Sequence, residues 1–347
     1  MSKHSIHERH MRLALREAAK GLGKTSPNPA VGAILVKGGH ILSRGFHEKA
    51  GKPHAEIVAL QKLRSPNAKG ATLYVTLEPC STHGRTPPCT EAILQAGIRH
   101  VVWGATDPNP KHAGRAKKIL EAAGIQVTTG VLEAECSALN EAWNHWIRTG
   151  MPFVIAKAGM SLDGRIATPP GASRMITCAE SRKDAMALRS QVDAILIGAE
   201  TLRVDNPALT VRGIPGAKQP LRIILTRSGK LPRKAKVFTD RFRDRTVIYK
   251  SGTLRSVLKK LGSQGVVSVL IEGGGEIFGQ AFDAALVQKV HIYTAPVLLG
   301  GPVPAVGGRG VNSNAQAIRL ANISYKRIRD DIRIVGYPVY TSLKSSK

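Results

Sequence analysis

Four residues in the first third of the chain have the types and spacing for metal chemistry. His54 and Glu56 lie in KPHAEIVAL, Cys80 in TLEPC, and Cys89 follows after eight intervening residues in TPPCTEAIL. One imidazole and two thiolates form the nitrogen–sulfur set that zinc prefers, and they leave one tetrahedral position open. Water at such a position ionises near neutral pH. Glu56, two residues from a ligand, can carry the proton without binding the metal. Two other readings of the cysteines stand beside this one. They could form a disulfide, or they could hold a structural zinc with His83 as fourth ligand. The chain has only four cysteines in 347 residues, at 80, 89, 136 and 178. Disulfide scaffolds are short and cysteine-dense, so a metal is the better fit.

The elements that must position these residues follow from apolar spacing. HERHMRLALREAAKG predicts a helix, and NPAVGAILVKGGHILSRGFH a hairpin turning at Gly38-Gly39. HAEIVALQKL and CTEAILQAG read as helices, ATLYVTLEP and HVVWGATDPNP as strands. His54 would then open a helix, Cys80 would follow a strand, and Cys89 would begin a helix whose N-terminus stabilises its thiolate. RAKKILEAAG and IQVTTGV repeat helix then strand, and VLEAECSALNEAWNHWIRTG reads as one closing helix. Gly150 and Pro152 mark a boundary, giving units 1–149 and 150–347. The second unit repeats the rhythm. FVIAKAGMSLDGRIA, VDAILIGAETL, LRIILTRSG, RTVIYK, VVSVLIEGGGE and KVHIYTAPVLLGG are strand-like, with helical stretches between, which implies a mostly parallel sheet.

Composition bounds the partners. Lys and Arg total 51 against 24 Asp and Glu, a formal charge of +27. The excess runs through both halves: 20 against 11 up to residue 150, and 31 against 13 beyond it. Such a balance suits an anionic partner, whether a phosphorylated metabolite or a nucleic acid. Aromatic residues are only 4%, which leaves few platforms for stacking extruded bases. No apolar run is long enough to span a bilayer. The N-terminus MSKHSIHERHMRLALREAAK lacks an apolar signal segment, so a cytoplasmic protein is expected, with no membrane partner.

The His-x-Glu and Pro-Cys elements resemble the signature of zinc nucleobase deaminases, with eight rather than two residues between the cysteines. TSPNPAVGAILVKGG, GFHEKAGKPHAE, VTLEPCSTHGRTPPCTEAIL and DPNP, then KAGMSLDGRIA, GAETLRVDNPALTVR, VLIEGGGEIFGQAF and APVLLGG, together resemble the bifunctional riboflavin-biosynthesis deaminase–reductases. The likeness runs from about Arg12 to about Gly336. It implies an α/β protein: a cytidine-deaminase-like α/β/α domain followed by a dihydrofolate-reductase-like α/β domain. The first would hydrolyse the amino group of a diaminopyrimidinone ribosyl 5′-phosphate. The second would reduce the ribosyl group to ribityl with NADPH. A homo-oligomer is expected, with no nucleic acid bound.

Carried over residue by residue, the resemblance makes His54, Cys80 and Cys89 the Zn2+ ligands and Glu56 the proton shuttle. It places Asn28, His47 and Arg85 on the deaminase substrate. In the second unit it assigns Gly159, Met175, Thr201, Asp205 and the run Gly274, Gly275, Glu276, Ile277, Phe278 and Gly279 to NADPH. Ser173, Arg189, Leu209, Arg212 and Glu272 would hold the reductase substrate, with Lys157 as the group that polarises or protonates it. Two observations stand apart from the resemblance. Arg85 lies on a loop fixed at both ends by cysteines, where a guanidinium can grip a phosphate. GGGEIFG follows a strand and opens a helix, as phosphate-cradling turns do, but it lacks the last glycine of G-x-G-x-x-G. Met175 stands where relatives often carry Trp, and Thr82 where they carry His. The competing function is a polynucleotide deaminase of the tRNA type with a basic, non-catalytic second domain.

Overall fold

The computed structural model describes residues 3–63, 68–83, 87–109, 112–166 and 175–340. Arg85 and Ser173 lie outside the described residues. Contacts divide the chain into Met1–Gly150 and Met151–Lys347. No described helix is long and apolar enough to cross a membrane.

The first unit runs α1 (Lys3–Ala19), β1 (Gly32–Lys37), β2 (His40–Phe46), α2 (Ala55–Gln61), β3 (Thr72–Leu77), α3 (Cys89–Gln95), β4 (His100–Ala105), α4 (Arg115–Ala122), β5 (Gln126–Thr128), α5 (Glu133–Leu139) and α6 (Glu141–Thr149). Its five strands are ordered β2-β1-β3-β4-β5. β1 is antiparallel to both neighbours, and β3, β4 and β5 are parallel. The hairpin turns at Gly38 and Gly39, whose φ of 57° and 80° favour glycine. One core cluster packs Leu35, Leu73, Val75 and Trp103 of the sheet against Ala55 and Ala59 of α2, Ile93 of α3 and Leu120 of α4. A Cβ on Gly45 would stand 2.2 Å from the Ala55 carbonyl oxygen. Glycine at this position of β2 therefore lets the first turn of α2, with His54 and Glu56, lie flat on the sheet.

The second unit runs β6 (Phe153–Ser161), α7 (Ala179–Arg189), β7 (Ala194–Gly198), α8 (Ala199–Asp205), β8 (Leu221–Leu225), α9 (Lys236–Thr239), β9 (Thr246–Tyr249), α10 (Leu254–Ser263), β10 (Ser268–Ile271), α11 (Gly275–Asp283), β11 (Lys289–Ala295), β12 (Arg319–Ile328) and β13 (Asp331–Val339). The sheet order is β12-β13-β11-β6-β10-β7-β8-β9. The six strands from β11 to β9 are parallel, and the β12–β13 hairpin joins antiparallel at the β11 edge. Val154, Leu196, Ile223, Val269 and Ile271 form the centre of this unit's main core with α10 and α11.

Three elements differ from the sequence expectation. The closing helix of the first unit is two helices, broken at Asn140. Its buried amide accepts from the Ala30 N–H at 2.8 Å and donates to the Ala30 carbonyl at 2.9 Å, which holds residue 140 off helical geometry. VDAILIGAETL is a strand only to Gly198, and AETL begins α8. The β12–β13 hairpin carries no sequence prediction because β12 is largely solvated and lacks an apolar alternation.

Candidate active sites

The first site assembles at the C-terminal ends of parallel strands, the usual place for a site in an α/β sheet. His54 caps the N-terminus of α2, Cys80 follows β3 by three residues, and Cys89 is the first residue of α3. Their ligand atoms all lie within 4.8 Å of one another. His54 Nδ1 is 3.3 Å from Cys89 Sγ and 3.5 Å from Cys80 Sγ. The Cys89 backbone N–H donates to Cys80 Sγ at 3.2 Å. The two thiols are not joined as a disulfide. His83 is not in the cluster; its ring pairs with Glu91 at 2.9 Å on the surface. Among the described residues the donor set is therefore three, not the four of a closed structural zinc.

Electrostatics suit a cation. The Cys89 thiol donates to Cys80 and lowers the Cys80 thiol to about 4, while Cys89 itself is pushed well up by that bond and by burial. The hydrogen bond with Cys80 raises His54. Glu56 is 3% exposed, and burial raises its carboxyl. An imidazole nitrogen and two sulfurs match zinc, and the raised carboxyl beside them can hold a proton.

His47 and Asn28 stand next to this cluster. The His47 ring packs edge-on to His54 at 5.4 Å. His47 Nδ1–H donates to the Pro53 carbonyl at 3.0 Å, so the neutral ring accepts at Nε2 from Asn28 Nδ2 at 3.1 Å. Burial lowers His47 and favours that neutral state. Thr82, in the inter-cysteine loop, contacts His112 at 3.3 Å.

In the second unit, Arg189 at the end of α7 grips Glu272, which follows β10. Its Nε donates to Glu272 Oε1 at 2.8 Å, its Nη2 donates to the other oxygen, and its Nη1 donates to the Thr210 carbonyl. Burial alone would raise Glu272, but Arg189, with Lys157 and Arg212 further off, holds it below its ordinary value. Lys157, Arg189, Arg212 and Glu272 thus share one electrostatic neighbourhood. Leu209 is buried beside it with φ 50°, a sparsely populated conformation for a branched residue.

A cavity of about 460 Å³ lies at the ends of β7, β8 and β9 and the start of α11. Thr201, Gly274, Glu276 and Ile277 line it. Asp205, at the exposed end of α8, does not line it; nor does Met175, which is 66% exposed. Gly159 faces Thr177. Phe278 is in the core. Gly275 and Gly279 have a packing reason to be small. Cβ atoms there would lie 2.4 Å from the Pro304 carbonyl oxygen and 2.3 Å from the Gly308 nitrogen. The 304–308 segment packs directly on α11, and Gly307 N–H donates to the Gly275 carbonyl at 2.8 Å.

Sequence reasoning missed five further residues that line this cavity: Arg227, Ser228, Lys250, Ser251 and Gly252. A signal was present. β8 is followed by Arg-Ser-Gly within TRSG, and β9 by Lys-Ser-Gly within YKSG. It also missed Glu78, whose buried carboxylate accepts three backbone N–H bonds.

Fold and sites together define a two-unit enzyme, a deaminase-type metal centre joined in one chain to a reductase unit. The description "Cytidine and deoxycytidylate deaminase zinc-binding region" matches residues 4–105, and "RibD C-terminal domain" matches residues 152–334. The riboflavin biosynthesis protein RibD of Synechocystis sp. is 42% identical, covering 94% of this chain and 95% of that protein. The Aquifex aeolicus protein of the same name is 39% identical, covering 95% and 98%. A solved structure of Acinetobacter baumannii RibD superposes with a TM-score of 0.90 at 35% identity, covering 97% of this chain and all of that one. A Thermotoga maritima structure described as a diaminohydroxyphosphoribosylaminopyrimidine deaminase/5-amino-6-(5-phosphoribosylamino)uracil reductase gives 0.89 at 34% identity, with the same coverage. The chain belongs to the RibD family and is a bifunctional deaminase and reductase of riboflavin biosynthesis.

Proposed function

We propose that residues 1–149 deaminate a diaminopyrimidinone ribosyl 5′-phosphate and that residues 150–347 reduce the deaminated product's ribosyl group to ribityl with NADPH. The observation that carries the first half is the His54–Cys80–Cys89 cluster with Glu56 buried beside it. His54, Cys80 and Cys89 would hold zinc, which supplies Lewis acidity and a water acidic enough to lose a proton near neutral pH. Glu56 would take that proton on its carboxylate and hand it to the ring nitrogen, and would then carry the second water proton to the amino group, which leaves as ammonia. The raised Glu56 carboxyl suits a group that must accept and return a proton. Asn28, its Nδ2 occupied by His47, would offer Oδ1 to the pyrimidine. Arg85 would meet the substrate phosphate.

For the second half, Lys157, Arg189, Arg212 and Glu272 form a charged neighbourhood for the phosphorylated product, with Leu209 at its side, and Ser173 would bind the same substrate. Lys157 would hold the proton delivered to the sugar as hydride arrives at C1. Thr201, Gly274, Glu276 and Ile277 line the cavity that would take NADPH. The same cavity is also lined by Arg227 and Lys250 beside two serines, which favours the phosphorylated cofactor over NADH, because cations and hydroxyls suit a phosphate monoester.

The test is coupled turnover. Ammonia and NADP⁺ are measured in one sample from zinc-loaded protein given the diaminopyrimidinone ribotide. The wild-type chain should release both. Glu56→Gln should lose deamination by about 10²-fold or more while still reducing the deaminated intermediate. Loss of both activities together would sink the assignment of two separate sites.

A further inference from the structure

The deaminase mechanism leaves unused a buried acid two residues from Cys80. Glu78 is 3% exposed. Its backbone N–H donates to the Ala105 carbonyl at 2.9 Å, which anchors it to the end of β4. Its side chain reaches the segment after that strand. Oε2 accepts from the Asp107 N–H at 3.3 Å and the Gly114 N–H at 3.1 Å, and Oε1 accepts from the Ala116 N–H at 3.1 Å. Gly114 is the N-cap of α4 and has no side chain to cap it, so Glu78, just after β3 and 36 residues away, caps that helix. An ionised carboxylate at a helix N-terminus meets both the orphan N–H groups and the positive end of the dipole.

The segment held this way borders the metal cluster. Asp107 is buried, and its carboxyl is raised first by burial and also by the nearby Glu78 and Cys80 charges. His112 contacts Thr82 in the inter-cysteine loop. Resting on the deaminase reading above, we propose that Glu78 is a positioning residue for deamination. It fixes the backbone at Asp107, Gly114 and Ala116 against the rim of the metal site, so that bound pyrimidine meets a wall of set geometry. Glu78 itself touches neither metal nor substrate.

Glu78→Gln keeps the shape but replaces one acceptor oxygen with an amide that cannot accept. The full-length, zinc-loaded protein and this variant are compared for zinc content, KM and kcat of ammonia release, and amide hydrogen exchange. Reduction of the deaminated intermediate serves as the internal reference. The expected result is a KM raised roughly tenfold with kcat changed less than about threefold. Zinc content and reduction should stay unchanged, and the amides of Asp107, Gly114 and Ala116 should exchange faster. Glu78→Asp, which keeps the charge on a shorter arm, should recover part of the KM. An unchanged KM, or exchange equal to wild type, overturns the proposal. So does loss of zinc with a collapsed kcat, which would make Glu78 part of the metal scaffold. If Glu78→Gln does not fold, Glu78→Asp carries the same comparison, and failure of both makes Glu78 purely structural and overturns it too. A wild-type chain that releases no ammonia counts against the deaminase reading instead, and the exchange comparison then decides Glu78's hold by itself.

Discussion

At the scale of single residues, chemistry was legible where residue types are rare and hidden where they are common. His54, Cys80 and Cys89 stood out because a chain with four cysteines and eleven histidines seldom spaces them so. Glu78 did not, since a glutamate after a strand is ordinary until its three backbone donors are seen. Arg227 and Lys250 were lost among 51 basic residues. In the structure both line the cavity, each next to a serine. Arg227 also meets Glu276 at 3.4 Å, but both side chains are more than two-thirds exposed, so the pair adds little and is free to rearrange. Changing Arg227 and Lys250 to Ala should weaken NADP⁺ by on the order of tenfold or more and leave NAD⁺ within about threefold, because only the extra phosphate loses its partners. Titration calorimetry with both nucleotides checks this; parallel losses would show that the wall does not read the phosphate.

At the scale of elements, most helices and strands were legible from apolar spacing, and the failures have physical causes. A buried amide at Asn140 splits a helix that periodicity draws as continuous. Solvated strands such as β12 give no signal. The side-chain partners of α1 were equally hidden. His7 donates to or accepts from Tyr74 Oη at 2.9 Å, His10 packs on the same ring, and His100 of β4 stacks edge-on against His7. Burial lowers both His10 and His100, with Arg9, Arg99 and His7 adding repulsion. Histidines that fold neutral contribute stability in full above their unfolded value near 6.5, and lose it as pH falls from there toward the lowered folded values. Thermal stability of the first unit should therefore drop as pH falls below about 6.5, and His10→Gln with His100→Gln should flatten that drop. Identical pH slopes for the variant and the wild type would remove the histidines as its cause.

At the scale of the whole molecule, the charge of +27 needs a role in solution even though no single cluster accounts for it. A broadly positive surface raises the encounter rate of anions, and salt screens that attraction within a Debye length of about 8 Å at physiological strength. For deamination of the phosphorylated ribotide, kcat/KM should fall by roughly tenfold between about 0.02 M and about 0.5 M salt, while a dephosphorylated analogue should respond far less. Equal salt responses for the two substrates would show that the charge does not steer the substrate. The packing of residues 304–308 on Gly275 and Gly279 bears on how variants of this enzyme are interpreted. Those glycines make room for the 304–308 segment next to the cavity that Gly274 lines. A bulkier residue at Gly279 would tilt α11 and move Gly274, Glu276 and Ile277 with it. A mutational map would then show a nucleotide-binding defect whose origin is packing against residue 308, and a redesign aimed at new cofactors can leave residues 279 and 308 as a matched pair.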